Sequence, residues 1–389
     1  MKNNLRWDSY VLFKGDENIQ SFWCNHLSRE DKKILYVLGK GFDVRMNHGI
    51  RHLVNCNTSS KIECVVIEFD EGSDSSSKNY KINVDKNFNE LKTLNGITLK
   101  TKSIALWKGQ GRNKRRIGDK EAADIFLSYD DIKEYSDIVL DISALPRGVY
   151  FSLIGKLLTL IDFNKIDNCE MHNLFVITTE NAKIDQQTID DDIDEELKFS
   201  FGFSGDLELT SDDPVIWFPI LGENKYNQII RAYNKINPRE ICPLLPFPSK
   251  DPRRSDNLII EYHQLLFDEL RIESQNLLYV PEQNPFEVYR NLSYAIINYN
   301  KTLSILNGCK AAISTFSSKL LSIGAIITAY EMNNRKTDKI GVGILNVDSK
   351  GYKIEDEQKI LKIKIESELF LTWLTGDPYN IHSNDNKSK

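Results

Sequence analysis

The chain has 389 residues and a mass of 44.8 kDa, enough for two to three domains of ordinary size. Hydrophobic residues make up 41% and charged residues 27%, which supports packed cores and excludes wholesale disorder. Lys plus Arg number 50 against 56 Asp plus Glu, so the net charge is -6; this argues against a surface that coats nucleic acid but leaves room for a local basic site. 

No apolar run approaches the roughly 18 residues that a membrane span needs, and the opening MKNNLRWDSY lacks an apolar signal core. The expected setting is therefore cytoplasmic, away from membranes. The six cysteines (Cys24, Cys56, Cys64, Cys169, Cys242, Cys309) form no CxxC pair and are expected as buried free thiols.

In chain order, the first half carries short apolar runs at Ile34–Leu38, Ile62–Phe69, Ile104–Trp107, Ile138–Ile142 and Leu174–Thr178. Runs that are apolar throughout, rather than alternating, suit strands buried on both faces. After the first run stands GKGFDVRMNHGIR, with Lys40, Arg45 and Arg51 beside Gly39 and Gly41. It reads either as a phosphate cradle at a helix start or as a tight turn with solvated cations, and it matches neither GxGxxG nor GxxxxGK[ST]. 

Glu68, Asp70 and Glu71 follow the second run, where a base or metal ligand could stand. His48 and His52 are four apart on an expected helix, but no third ligand is legible and no metal site is expected. KGQGRNKRR (Lys108–Arg116) concentrates cations, Lys108 and Arg112 among them, after the third run. In DISALPRG, Asp141 ends a strand, Ser143 is expected as a helix N-cap and Arg147 sits in the first turn. A cation there opposes the helix dipole unless an anion answers it. Val149, Tyr150, Leu153, Ile154, Leu157, Leu158 and Ile161 then share one helical stripe.

The stretch around residues 183–213 is acidic and poor in apolar residues, and is expected as a linker. Beyond it come runs at Val215–Ile220, Ile241–Leu245, Leu277–Val280, Ala311–Ser314 and Ile340–Val347, with helical stripes over Phe286–Ile296 and Leu320–Tyr330. PLLPFPSKDPRRSD presents Lys250, Arg253 and Arg254. STFSSKLLSIG offers Ser317, Ser318 and Lys319 at a helix start, either a phosphate cradle or a well-capped core helix. 

Strand–helix alternation with connections of this length predicts an α/β protein of two Rossmann-like units, with mainly parallel sheets flanked by helices. The expected division is 1–182, linker 183–213, 214–380, and a disordered tail 381–389. Lys339–Val347, with Lys359–Ile365, is expected to complete the second sheet, and FLTWLTGDPYN (Phe370–Asn380) to dock on the body.

STFSSKLLSIGAIITAYE resembles the small-residue-plus-Lys turn of CARF-type Rossmann domains, and two such units in one chain resemble the SAVED sensors. In place of the family's usual double glycine this chain has Ser317-Ser318, and no fused nuclease or protease motif is legible. The resemblance implies a sensor of bacterial antiviral defence that binds cyclic oligonucleotides, with Ser317, Ser318 and Lys319 at the ligand. 

From the residues themselves, the expected function is a binding or regulatory subunit for a phosphate-rich ligand, a nucleotide or short oligonucleotide. Lys40, Arg45, Lys108, Arg112, Ser143, Arg147, Ser317, Ser318 and Lys319 would hold it. Two alternatives stay open. One is an enzyme acting on a phosphorylated nucleotide or sugar, with Glu68, Asp70 or Asp141 as base or metal ligand; EFDEGSDSSS is similar to an acidic phosphoribosyl-diphosphate loop but lacks its TGGT continuation. The other is a nucleic-acid-contacting subunit of a larger defence complex. Other defence-system subunits and further copies of the chain are compatible partners, and the cofactor is unknown.

Overall fold

The computed structural model describes residues 5–56, 59–72, 79–109, 115–164, 172–181, 188–193, 197–209, 212–347, 349–354 and 367–380. The chain forms two compact units. The first is built from residues 10–192 with the described residues from 349 onward, and the second from residues 5–9 and 193–347.

The first unit opens with β1 (Val11–Lys14) and α1 (Asp16–Leu27). It continues through β2 (Lys33–Gly39), α2 (His48–Val54), β3 (Lys61–Asp70), α3 (Lys81–Lys92), β4 (Ile97–Ala105), the short β5 (Trp107–Lys108) and β6 (Arg115–Arg116), α4 (Gly118–Ala123), β7 (Asp137–Asp141), α5 (Arg147–Phe163), β8 (Asn173–Glu180) and β9 (Thr188–Ile193). The second holds β10 (Lys198–Phe199), β11 (Val215–Ile220), α6 (Tyr226–Ile236), β12 (Glu240–Ile241), β13 (Leu244–Pro246), α7 (Arg254–Glu261), β14 (Leu278–Val280), α8 (Pro285–Thr302), β15 (Lys310–Thr315), α9 (Lys319–Asn334) and β16 (Val342–Asn346). The chain then returns to the first unit with β17 (Ser349–Ile354), which pairs with β9, then β18 (Glu368–Thr375) and α10 (Asp377–Asn380).

The main sheet of the first unit runs β1-β18-β8-β7-β2-β3-β4. Its five strands from β8 to β4 are mutually parallel, while β18 is antiparallel to both β8 and β1. Counted along the chain, the parallel strands lie in the order 3-2-1-4-5, which places a topological switch point between β2 and β7. One face of this sheet carries Tyr36, Leu38, Val66, Val139, Phe175, Leu371 and Trp373 against Ile19, Trp23, Ile50 and Leu53 of α1 and α2. Residues pointing the other way, such as Val37, Ile67, Leu140 and Val176, are equally buried, which is why these strands read as unbroken apolar runs.

The second sheet runs β10-β16-β15-β11-β13-β14, and its parallel strands repeat the order 3-2-1-4-5 with a switch point between β11 and β15. Trp217 on β11 meets Tyr233 of α6, and its neighbour Phe218 meets Tyr299 of α8, so helices flank both faces. The fold is α/β with mostly parallel sheets flanked by helices. Among the described residues no helix is long and apolar enough to cross a membrane.

Three features depart from the sequence expectations. Residues 368–375, expected in or on the second unit, form a strand of the first sheet between β1 and β8. Leu369, Phe370, Leu371 and Leu374 are fully buried there, because both neighbours leave that edge open to an antiparallel partner. Conversely, the N-terminal Trp7 belongs to the second unit: it is buried, and its ring sits edge-on to Tyr289 at 5.3 Å. 

The third concerns the cysteines. Cys24 and Cys56 are joined by a disulfide, since the adjacent helices α1 and α2 bring their Cα atoms to 5.0 Å. Cys64, Cys242 and Cys309 are buried free thiols, and burial pushes Cys64 up to about 12 and the other two up to about 11. Cys169 lies outside the described residues, as do residues 359–365 and the tail from 381.

Candidate ligand-binding site at the strand ends

In an open parallel sheet the loops beyond the carboxyl ends of the strands frame the crevice at the switch point. In the first unit these loops leave β2 at Gly39 and β7 at Asp141. They run so close that a Cβ on Gly39 would stand 2.6 Å from Leu145 Cδ2 and 3.0 Å from Ala144 O, an approach that glycine makes without displacing either. Asn87 of α3 holds the β2 loop, donating from Nδ2 to Gly41 O at 3.0 Å and Asp43 O at 2.8 Å. 

Within the loop the Asp43 carboxylate accepts from the backbone N–H of Arg45 at 2.9 Å and from its guanidinium at 2.7 Å, and Arg45 Nη1 reaches Thr179 O at 3.3 Å. Across the crevice, Asp141 Oδ1 accepts from Ser143 N at 2.9 Å and Oδ2 from Tyr36 Oη at 2.8 Å. Burial, with the Asp141 carboxylate beside it, holds the Tyr36 phenol well above its ordinary value, so Tyr36 stays a donor. A carboxylate of the protein thus sits at each turn where an anion was expected.

The residues singled out in the sequence fall as follows. Lys40 is half-buried, pairs with Glu68 and lies 4.4 Å from the Phe88 ring centroid. Arg45 is buried on Asp43, and Arg51 pairs with Glu90 of α3. Ser143 is not the N-cap of α5, which is Pro146; its hydroxyl instead donates to Thr179 Oγ1 at 3.1 Å and accepts from Thr179 N at 3.0 Å, tying β7 to β8. Arg147 is the first residue of α5 and half-buried. Lys108 is exposed on β5, and Arg112 lies outside the described residues. 

The three candidate catalytic acids are not brought together. Asp141 is separated from Glu68 by the whole of β2, Glu68 is taken up by Lys40, and Asp70 is exposed and accepts from Gly72 N at 2.8 Å.

The second unit gathers its strand ends differently. A Cβ on Gly222, just beyond β11, would meet Phe316 O at 2.1 Å and Phe316 C at 2.8 Å, so the loops after β11 and β15 touch backbone to backbone. Beside this contact lies Arg254, the first residue of α7. Its Nε and Nη2 donate to Glu223 at 2.6 and 2.7 Å, its Nη1 to Glu282, and Nη2 lies 3.4 Å from Ser317 Oγ. Glu223 follows β11, Arg254 follows β13, Glu282 follows β14 and Ser317 follows β15, so one guanidinium ties four strand-end loops together. 

Burial alone would raise Glu223, but the Arg254 guanidinium overrides it and holds the carboxyl below its ordinary range. Burial would likewise lower Arg254, but its two carboxylates hold it up. Glu282 also accepts from Lys250 N at 2.9 Å. Ser318 is the N-cap of α9, its hydroxyl accepting from Leu321 N at 3.4 Å, and Lys319 is the first helical residue, half-buried. In the sequence, Arg254 was visible as one of several loop cations, but Glu223 and Glu282 carried no signal as its partners.

One further group comes together on the first unit. Asp16, His48 and His52 hold their ligand-type atoms within 4.8 Å of one another. The histidine spacing was legible; the third member, from α1, was not.

No protein-family model matches the chain, and no curated protein matches it. Among solved structures, the chain is similar to a putative universal stress protein from Pseudomonas aeruginosa UCBPP-PA14. Identity is 11%, with 86% of this chain and 97% of that one covered and a TM-score of 0.22. It is also similar to UDP-GlcNAc 2-epimerase from Methanocaldococcus jannaschii, at 12% identity, 86% and 92% coverage and a TM-score of 0.21. At TM-scores this low the likeness carries no argument about this chain.

Proposed function

We propose that the protein is a ligand-binding sensor or regulatory subunit whose second unit takes a phosphate-rich ligand, a nucleotide or short oligonucleotide, at the strand ends around Arg254. The observation that carries this reading is the single guanidinium joining the loops after β11, β13, β14 and β15 through Glu223, Glu282 and Ser317. A phosphate oxygen competes with a carboxylate for a guanidinium in the same forked geometry. Exchange of Glu223 for phosphate would release the β11 loop while the ligand engages the Ser317-Ser318-Lys319 turn. Binding energy would thereby be converted into a rearrangement of several loops, which is what a sensor needs. The similarity of that turn to CARF-type domains makes cyclic and linear oligonucleotides the first ligands to test and bacterial antiphage defence the setting to test them in.

The experiment is calorimetric titration of the whole protein with nucleoside mono-, di- and triphosphates and short cyclic and linear oligonucleotides. Arg254→Ala should weaken the binding ligand at least about tenfold, the size of a lost hydrogen bond to a charged group. Glu223→Gln, which removes the competing carboxylate, should tighten it. Unchanged affinity in a folded Arg254→Ala protein, or weaker binding in Glu223→Gln, would overturn the role given to Arg254. Turnover of the ligand rather than simple release would favour the enzyme reading instead.

A further inference from the structure

The cluster of Asp16, His48 and His52 belongs to the first unit and is used by nothing described so far. Asp16 is the first residue of α1, and His48 and His52 stand one turn apart on α2, so both rings project from the same side of that helix toward α1. Asp16 Oδ2 is 2.9 Å from His48 Nε2 and 3.4 Å from His52 Nε2. All three side chains are partly accessible, at 39%, 22% and 18%. Arg51, between the two histidines, is turned to Glu90 of α3, so its charge is answered elsewhere.

The protons in this cluster can be assigned from its neighbours. Gln20 Nε2 lies 3.1 Å from Cys56 Sγ and 3.4 Å from Cys24 Sγ. Disulfide sulfurs have no proton to donate, so they face the amide NH2, and Gln20 Oε1 is the atom turned to His52 Nδ1 at 3.0 Å. A neutral His52 therefore carries its proton on Nδ1. Its Nε2 lone pair then points at Asp16 Oδ2, also a lone-pair atom, across 3.4 Å. Asp16 Oδ1, meanwhile, is buried and has no hydrogen-bond partner. With His52 neutral, the facing lone pairs call for a cation between them. A metal ion would engage Asp16, His48 and His52 together, where a proton on His52 answers Asp16 alone.

We infer that Asp16, His48 and His52 bind a divalent transition-metal ion of the zinc class, through both Nε2 atoms and the Asp16 carboxylate, with Gln20 as the outer partner that orients His52. Imidazole nitrogens with one carboxylate suit Zn2+ and exclude the oxygen-seeking Ca2+ and Mg2+. Bond lengths of about 2.0–2.1 Å in a tetrahedron put donor atoms roughly 3.3 Å apart, close to the 2.9 and 3.4 Å found here. A ligating histidine almost always gives its other N–H to an acceptor, as His52 gives Nδ1–H to Gln20 Oε1. Three protein ligands leave the fourth position to water or to an anionic group from solution. The cluster also sits at the carboxyl-end side of the first sheet: β1 is antiparallel to β18 and β18 to β8, so β1 runs parallel to β8 and α1 starts at the same end as the switch point.

The test uses the whole oxidised protein after chelator treatment, titrated with Zn2+ against a chromophoric competitor and separately with Co2+. About one Zn2+ should bind per chain, and Co2+ should give the visible absorption of a low-coordinate nitrogen/oxygen site without a thiolate charge-transfer band. Asp16→Ala and His52→Ala should each abolish binding with the circular dichroism spectrum unchanged. Gln20→Ala, which removes no ligand, should weaken it roughly 10–100-fold, and this holds as a check even if a ligand variant folds poorly. Wild-type protein that binds neither ion, or an Asp16→Ala, His52→Ala double variant that retains stoichiometric Zn2+, would overturn the site. A cobalt spectrum dominated by thiolate bands would do the same, placing the ion on cysteine.

Discussion

The two units share a strand order but close their switch points by different means. In the first, each carboxylate answers a group two residues away: Asp43 answers Arg45, and Asp141 answers Ser143 as well as Tyr36 on the adjacent strand. In the second, Arg254 is answered by Glu223 and Glu282, separated from it by 31 and 28 residues on two other loops. Local pairing, backed by Asn87 of α3 and by Thr179 of β8, makes each turn rigid. Distant pairing joins four loops through one cation, which gives the second unit the greater capacity to respond to an anion. The same inventory of cations and acids yields a scaffold in one place and a candidate responsive site in the other.

The contrast can first be broken at the level of the units themselves. Leu371 on β18 is fully buried in the first unit's core, so Leu371→Ala should cost about 2–5 kcal/mol. Because β18 pairs with β8 and β1, the loss should fall on that sheet. Hydrogen exchange should show β8 amides losing protection while those of β15 keep theirs; equal loss in both sheets would show that stability is not divided as the contacts divide it.

A smaller effect separates the two switch points. Gly222→Ala forces a methyl against the carbonyl of Phe316, which is backbone and cannot turn aside, and should cost about 3 kcal/mol. Gly39→Ala meets Leu145 Cδ2 first, the end of a flexible side chain, and should cost about 1 kcal/mol in urea unfolding. Equal values would mean that the β11–β15 contact yields as easily as a side chain does.

How much of this was legible in the sequence follows from the range of the interactions. The central strands were visible because apolar runs buried on both faces are a local property; ILYVL, IVLDI and VIWFPI fall on β2, β7 and β11. The helices α5, α8 and α9 were visible from their stripes. The edge was not: VLFK is four residues long and only partly buried, and ELFLTWLT finds its place beside β8 across nearly two hundred residues of chain. Cations at strand ends could be counted, but their partners could not. Lys40 with Glu68, Arg254 with Glu282 and His48 with Asp16 are each set by topology rather than by spacing. Ser143 illustrates the same point, since Thr179, not the helix, claims its hydroxyl.

The last expected effect concerns pH and again divides the units. Asp137, at the start of β7, is fully buried and accepts from Asn173 Nδ2 and from Ser136 Oγ at 2.9 Å each; it faces His26 Nε2 at 2.9 Å and Lys32 Nζ at 3.7 Å. Burial alone would raise this carboxyl, but His26, Lys32 and Asn173 outweigh it and hold the group below its ordinary value of 3.8. A carboxyl lowered on folding stabilises the protein fully above its unfolded pKa and ceases to do so as pH falls through the folded one. The first unit should therefore lose stability in acid below about pH 4, and Asp137→Asn should cost roughly 2 kcal/mol at neutral pH while flattening that acid limb. Glu223 is lowered by Arg254 in the same sense, but its side chain is 36% exposed, so solvent screens much of the interaction. Glu223→Gln should accordingly move the second unit's acid limb far less than Asp137→Asn moves the first's. An acid transition that ignores Asp137→Asn would place the sensitivity of the first unit elsewhere than at the foot of β7.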